Sequence, residues 1–442
     1  MKLHGKKALV VGLQKSGVAA VELLRRQGAI VRATDLKSLD QLPAARGLEL
    51  PFAVQSDAVF EDCDLIVLSP DVPADLPPLN AARARGVVVI GEVELAAPFL
   101  KGRIVGITGS NGKTTTTSLT GHILREAGVA VQVGGNIGLP VASMIETSRE
   151  DGWNVLELSS FQLETIREFR AHVAVMLNVT QNHLDRHHTF ENYAAAKGRI
   201  FENQRPEDLA VLNADDAMCA VYARQTAARV EWFSSARKVE PGAALCGDQL
   251  MLHGKLLMSA GEVPIRGQHN LENVMAAGLA ASHAGVERAA IAAAVRTFRA
   301  VEHRLEFVCR INGIDFYNDS KATSVDATLK ALDAFGGNLW VILGGKDKGL
   351  DYRALRGPLA QKAKAALLIG AAAGKIGQAL DGAAPLVEAG TLDAAVKHAY
   401  AHATAGDTIL LAPACASFDQ FRSYEHRGEA FKEIVRGLEG TE

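Results

Sequence analysis

Along this chain, short unbroken apolar runs alternate with longer stretches in which apolar residues recur at helical spacing. The runs Lys7–Gly12, Ala29–Asp35, Asp64–Pro70, Arg103–Thr108, Val173–Val179, Leu209–Asn213, Leu339–Leu343 and Thr408–Leu411 predict strands buried on both faces. A further strand is predicted from Trp153 through Leu158, where Glu157 is the lone charge. Between the strands, Gly17–Gln27, Thr114–Gly128, Phe190–Phe201 and Asn270–Ala284 predict helices. Two stretches read as hairpins, Leu250–Met258 and Phe307–Phe316, the second turning on Asn312-Gly313. Alanine-rich stretches around 289–295 and 363–373 predict plain helices. Strands alternating with helices in this way predict an α/β chain of doubly wound, largely parallel sheets.

Length divides the pattern. At 442 residues the chain is too long for one core, and the alternation breaks into units at 1–92, 93–299 and 300–442. With 48% hydrophobic and 22% charged residues, each has enough apolar material for a globular core. A net charge of -3 excludes a general affinity for nucleic acid or anionic membranes, so anionic ligands have to be held by local sites. Five scattered cysteines with no C-x-x-C pair predict a reduced, cytoplasmic protein. Each is expected as a small buried residue, Cys415 being set apart by its loop. The chain opens with no cleavable signal, and no run approaches the roughly 18 to 20 apolar residues that span a bilayer, so membrane insertion is not expected.

Candidate chemistry concentrates where strands end. After the Arg103–Thr108 run comes Gly109-Ser110-Asn111-Gly112-Lys113-Thr114-Thr115, small residues that let backbone N–H groups ring a phosphate at a helix N-terminus. Lys113 would bring charge to the outer phosphates and Thr114 a hydroxyl to Mg2+. The strict G-x-x-x-x-G-K-[ST] spacing is not met, because position 107 is Ile, so the loop is a variant. Glu157 is costly to bury without a cation, which makes it a metal ligand or a partner for Lys113. His183 follows the Val173–Val179 strand. Lys197 lies among Tyr193, Ala194, Ala195, Ala196 and Gly198, and local physics favours a snorkelling stem. Asn270 reads as a helix N-cap. The turn Gly12–Gly17, with Gln14 where a dinucleotide fingerprint has its second glycine and Asp35 about twenty residues on, fits a nucleotide site or a tight turn capped by Ser16 equally well.

Taken in order, Thr108–Thr115, Asn182-His183-Leu184-Asp185, His269–Asn273, His303-Arg304 and Asp319–Thr323 resemble the Mur ligases, ATP-dependent amino-acid ligases of peptidoglycan synthesis. Leu158–Glu164 and Pro413–Phe421 are similar to the branch that adds D-glutamate, and the resemblance covers essentially the whole length. It implies a Rossmann-like first domain, a central P-loop ATPase-type parallel-sheet domain and a Rossmann-like C-terminal domain. The first would hold the UDP part of UDP-N-acetylmuramoyl-L-alanine through Leu13, Gln14, Asp35 and the Ser69-Pro70 loop. The second would bind ATP through Gly109–Thr115, with Thr114 and Glu157 on one Mg2+ and His183 on a second. Lys197 matches the position that the family carries as a carbamate, a reading opposite to the snorkelling one. Asn136 and His183 would face the acyl group, Ser159 would be a further substrate-binding residue, and Asn270, Arg304 and Asp319 would touch adenine, phosphate and ribose. Lys321, Thr323, Lys348, Ser417, Phe418 and Tyr424 would surround D-glutamate. The resemblance also implies a cytoplasmic monomer acting on small molecules.

Overall fold

The order in which the expected strands pair explains why so many of these loops share an edge. A computed structural model describes residues 2–299 and 301–439; Ala300, where the third unit is expected to begin, lies outside the described residues. The first sheet holds β1 (Lys7–Val11), β2 (Ile30–Asp35), β3 (Phe52–Val54), β4 (Leu65–Leu68) and β5 (Val88–Gly91) in the order β3-β2-β1-β4-β5. All its pairings are parallel. The chain winds outward from β1 to β3 and then crosses to β4, so the carboxyl ends of β1 and β4 flank a topological switch point.

The second sheet comprises β6 (Arg103–Thr108), β7 (Val131–Gly135), β8 (Trp153–Glu157), β9 (Val173–Met176), β10 (Leu209–Asn213), β11 (Arg229–Ser234), β12 (Gly242–Cys246), β13 (Gln249–Leu252) and β14 (Lys255–Ser259). Its order is β14-β13-β12-β11-β10-β9-β6-β8-β7, antiparallel only at β12-β13-β14. Here β6 lies between β8 and β9, in register Ile107 with Glu157 and Thr108 with Met176. The loops after β6, β8 and β9 therefore emerge side by side. The third sheet, β15 (Glu306–Ile311), β16 (Ile314–Asn318), β17 (Leu339–Gly344), β18 (Ala363–Ile369), β19 (Leu386–Gly390) and β20 (Thr408–Leu411), runs β15-β16-β20-β17-β18-β19 and is parallel except at the β15-β16 hairpin. Burial of whole strands, such as every residue of β17, supplies the cores, at about 1.5–3 kcal/mol for each large aliphatic side chain.

The described residues pack as two compact units. One runs to Ala260 and takes back Glu272–Arg296, carrying the first two sheets; the other joins Gly261–Leu271 to the chain from Thr297 onward and carries the third.

Several local expectations are corrected. The alanine-rich stretch 363–373 is not a helix: Ala363–Ile369 is β18, and a helix starts only at Ala373. Its Ala365–Ile369 run is wholly buried between β17 and β19, where small and aliphatic side chains suit a strand covered on both faces. Asn270 is not an N-cap, because the helix begins at Gln268; its amide donates to the Arg266 carbonyl at 2.6 Å. Ser16 caps nothing, since the first helix runs Lys15–Arg26 and Gln14 holds the cap position without a side-chain bond. Of the cysteines only Cys219 and Cys415 are buried, Cys63 and Cys309 are half-buried and Cys246 is exposed.

Candidate active site

The loop after β6 is shaped by backbone geometry before any ligand arrives. Gly112 caps the helix Lys113–Glu126 in the left-handed conformation, φ +83°. A β-carbon there would come within 2.5 Å of Asn273 Oδ1, so glycine is required twice over. Asn178 clamps the loop from β9, accepting from the Asn111 N–H at 2.9 Å, while Ser110 Oγ meets the Tyr193 hydroxyl at 2.9 Å. Thr114 and Thr115 are buried at the helix start. Lys113 folds back, donating to the carbonyls of Gly109 at 2.8 Å and Ser110 at 3.0 Å.

Lys197 reaches the same oxygen. It does not snorkel: only 1% of the residue is exposed, its amine donates to Gly109 O at 2.9 Å, and it lies 4.8 Å from the Tyr193 ring centroid. Desolvation, reinforced by the charge of Lys113, drives its pKa well below the ordinary lysine value. The sequence missed this because it shows the helix face of small residues but not the β6 end packed against it. Nearby, Glu157 is 2% exposed, which excludes a solvated carboxylate. Its Oε1 accepts from Asn136 Nδ2 at 2.8 Å, and its buried Oε2 has no hydrogen-bond partner. Two amines on one carbonyl beside an unsatisfied buried carboxylate oxygen form a site that fits phosphate oxygens and a cation.

His183 starts the short helix Leu184–His187 with φ +52° and packs edge-on to Phe161 at 5.0 Å between centroids. Burial of its ring, aided by Lys113 and Lys197 against the opposing pull of Asp185, lowers its pKa. Ser159 caps the helix Ser160–Leu163 through a capping box with Gln162. Tyr193, four residues before Lys197 on the same helix face, was missed; that spacing was the available signal.

At the switch point of the first sheet, Asp35 accepts from the Leu13 N–H at 2.8 Å and the Lys37 N–H at 3.1 Å, and Ser69 Oγ donates to Gly12 O at 2.7 Å. Leu13 has a buried side chain, whereas Gln14 is exposed at the turn.

In the second unit the loops after β16, β17 and β20 emerge from neighbouring strands. Asp319 is buried, and desolvation raises its pKa to about 7 against the opposing pull of Arg304 and the Leu305 N–H. Lys348 donates to Thr323 Oγ1 at 3.4 Å and Thr323 O at 3.3 Å, and Lys321 lies 5.1 Å from the Tyr424 ring centroid. Ser417 is buried, while Phe418 is 67% exposed beside it. What the sequence did not suggest is Arg427, fully buried and donating to Ser320 Oγ and O at 3.0 and 2.8 Å and to Cys415 O at 3.1 Å.

The chain matches three family models: Mur ligase MurD-like, N-terminal domain, over residues 6–91; Mur ligase middle domain over 107–281; and Mur ligase, glutamate ligase domain, over 303–415. It is 75% identical over 439 residues to the UDP-N-acetylmuramoylalanine--D-glutamate ligase of Solibacter usitatus, covering 99% of both chains. It is 53% identical to the ligase of the same description from Acidobacterium capsulatum, covering 100% of this chain and 98% of that one. In fold it is similar to UDP-N-acetylmuramate-alanine ligase from Thermotoga maritima, with a TM-score of 0.63 at 18% identity, covering 98% of this chain and 100% of that one.

Proposed function

Because the chain belongs to the Mur ligase family, we propose that it joins D-glutamate to UDP-N-acetylmuramoyl-L-alanine with ATP, in the cytoplasmic stage of peptidoglycan synthesis. The observation that carries this reading is near full-length likeness to relatives described as adding D-glutamate. The site chemistry supports it.

The N–H groups of Gly109–Thr115 and the Lys113 ammonium bind the ATP phosphates, and Asn270, Arg304 and Asp319 serve adenine, phosphate and ribose. Leu13, Gln14, Asp35 and Ser69 hold the UDP end of the acceptor, and Asn136 and Ser159 orient its acyl end. The acceptor carboxylate attacks the terminal phosphorus, giving an acyl phosphate and ADP. The neutral amine of D-glutamate then attacks the acyl carbon, and the tetrahedral adduct collapses to amide and phosphate. Lys348 and Thr323 take one glutamate carboxylate, helped by Lys321; Ser417 with the backbone at Phe418 takes the other, against Tyr424. Thr114 and Glu157 would hold one Mg2+, and His183 with Lys197 as its carbamate a second; bound Mg2+ offsets phosphate charge as the phosphoryl group moves. The unpartnered Glu157 Oε2 and the desolvated Lys197 amine support both assignments.

Phosphate release from ATP in the presence of UDP-N-acetylmuramoyl-L-alanine tests the proposal. Turnover is expected with D-glutamate and not with D-alanine, since a pocket built for two carboxylates rejects a missing one by roughly 3 kcal/mol, nor with L-glutamate, whose amine would point away from the acyl phosphate once its two carboxylates are held. Comparable rates with D-alanine or L-lysine would assign the chain to another ligase of the family.

A further inference from the structure

We propose that Arg186 is a positioning residue that ties the loop receiving the UDP-linked substrate to the turn carrying His183, a role that rests on the function proposed above. Arg186 lies in the Leu184–His187 helix, and its side chain is 11% exposed. One terminal nitrogen donates both to Glu164 Oε2 at 2.7 Å and to the carbonyl of Val72 at 2.8 Å; the other reaches the Asp71 carbonyl at 3.4 Å. The guanidinium carbon lies 5.0 Å from the centroid of the Phe161 ring. A planar fork can make these contacts together, and a lysine cannot.

Each contact continues into the site. On the first-sheet side, Val72 N–H donates to Ser69 O at 3.0 Å and Ser69 Oγ to Gly12 O at 2.7 Å, so the carbonyls gripped by Arg186 belong to the switch-point turn. On the central side, Glu164 Oε1 lies 3.1 Å from His187 Nδ1, and His187 Nε2 lies 2.9 Å from Ser160 Oγ. With both ring nitrogens engaged, His187 stacks on Phe161, which also packs edge-on to His183. His183 and His188 both have positive φ, at 52° and 66°, on either side of this one short helix. Non-glycine residues keep such conformations only where their surroundings over-determine them. The Arg186 and His187 N–H groups both donate to the His183 carbonyl, so anchoring Arg186 anchors His183.

A cleft of about 500 Å³ is lined by Arg186 and Glu164 together with Asp75, Arg83 and Arg199. Small cations can enter it, which allows a rescue experiment. The wild-type enzyme is assayed first, and an inactive wild type would count against the proposed function itself. For Arg186→Ala, KM for UDP-N-acetylmuramoyl-L-alanine is expected to rise about tenfold or more, with KM for ATP and D-glutamate changed by less than about twofold. Methylguanidinium at tens of millimolar should recover most of the loss, and Arg186→Lys should stay impaired. If Arg186→Ala does not fold, Glu164→Gln is expected to show the same selective rise at about threefold. An unchanged KM for the UDP substrate, a parallel rise in all three KM values, or a folded Arg186→Ala enzyme that methylguanidinium leaves unrescued would overturn the proposal.

Discussion

Two lysines share one carbonyl, and that arrangement decides what each can be. Lys113 and Lys197 both donate to Gly109 O, within 2.8 and 2.9 Å. Two ammonium groups so placed repel, and burial with that repulsion drives the pKa of the more deeply buried one, Lys197, well below the ordinary lysine value. A neutral buried amine is the form that adds CO2. Lys197→Ala is therefore expected to lose at least about a hundredfold in turnover, while melting within a few degrees of wild type, because removing a desolvated amine relieves as much as it disrupts. Short carboxylates such as acetate should restore part of the activity. Phosphate release with and without acetate, beside a melting curve, measures both; a fully active variant ends the carbamate assignment. At this scale the sequence was legible where residue type limits backbone geometry, as at the glycine turn that ends in Gly112 and opens the helix Lys113–Glu126. It was not legible where a contact across the sheet sets the environment, as at Lys197, or where the partner is remote, as with Asn178 on the Asn111 N–H and Asn273 on the Thr116 hydroxyl.

The helix Tyr424–Glu439 does more than cover the third sheet. Its Arg427 binds the loops after β16 and β20, and a β-carbon on Gly345, after β17, would approach its guanidinium to 3.1 Å. All the oxygens it grips are neutral, and desolvation pushes its pKa down to about 10. Arg427→Met keeps most of the volume and leaves the Ser320 and Cys415 carbonyls short of donors. A loss of roughly 2–4 kcal/mol is expected, read as a lower urea midpoint with unchanged slope. A midpoint equal to wild type would show that the loops hold themselves. Nothing local announces such a residue, because an arginine in an amphipathic helix ordinarily faces water. The same limit explains β18: Ala363–Ile369 has helix-favouring composition, and only its place between β17 and β19 makes it a strand. The other buried strands were legible because unbroken Val, Ile and Leu runs between glycine turns have few alternatives.

Over the whole molecule, two carboxylates fasten the first sheet to the second within one unit. Glu94 accepts from the N–H groups of Arg167, Glu168 and Phe169, and Glu92 accepts from Ala142. Burial raises the Glu92 pKa to about 7. A carboxyl group whose folded pKa is raised costs nothing while both states are protonated, below about pH 4. As pH climbs to about 7 the unfolded state ionises and the folded one resists, so stability falls and then levels off. Relative to wild type, Glu92→Gln should therefore gain roughly 2–3 kcal/mol between pH 4.5 and 7.5. Urea melts at the two pH values test this, and a pH-independent difference would refute it. The chain path has a consequence of another kind. Gly261–Leu271 packs with the later unit, where the Arg266 guanidinium lies 5.2 Å from the Tyr317 ring centroid and 5.8 Å from that of Phe335, yet Glu272–Arg296 returns to the earlier one. On the ribosome, part of the late unit leaves the exit tunnel before the early unit is complete, and must wait unpaired for the rest. In a genome, no one recombination crossover between the codons of this gene can exchange one unit and leave the other whole.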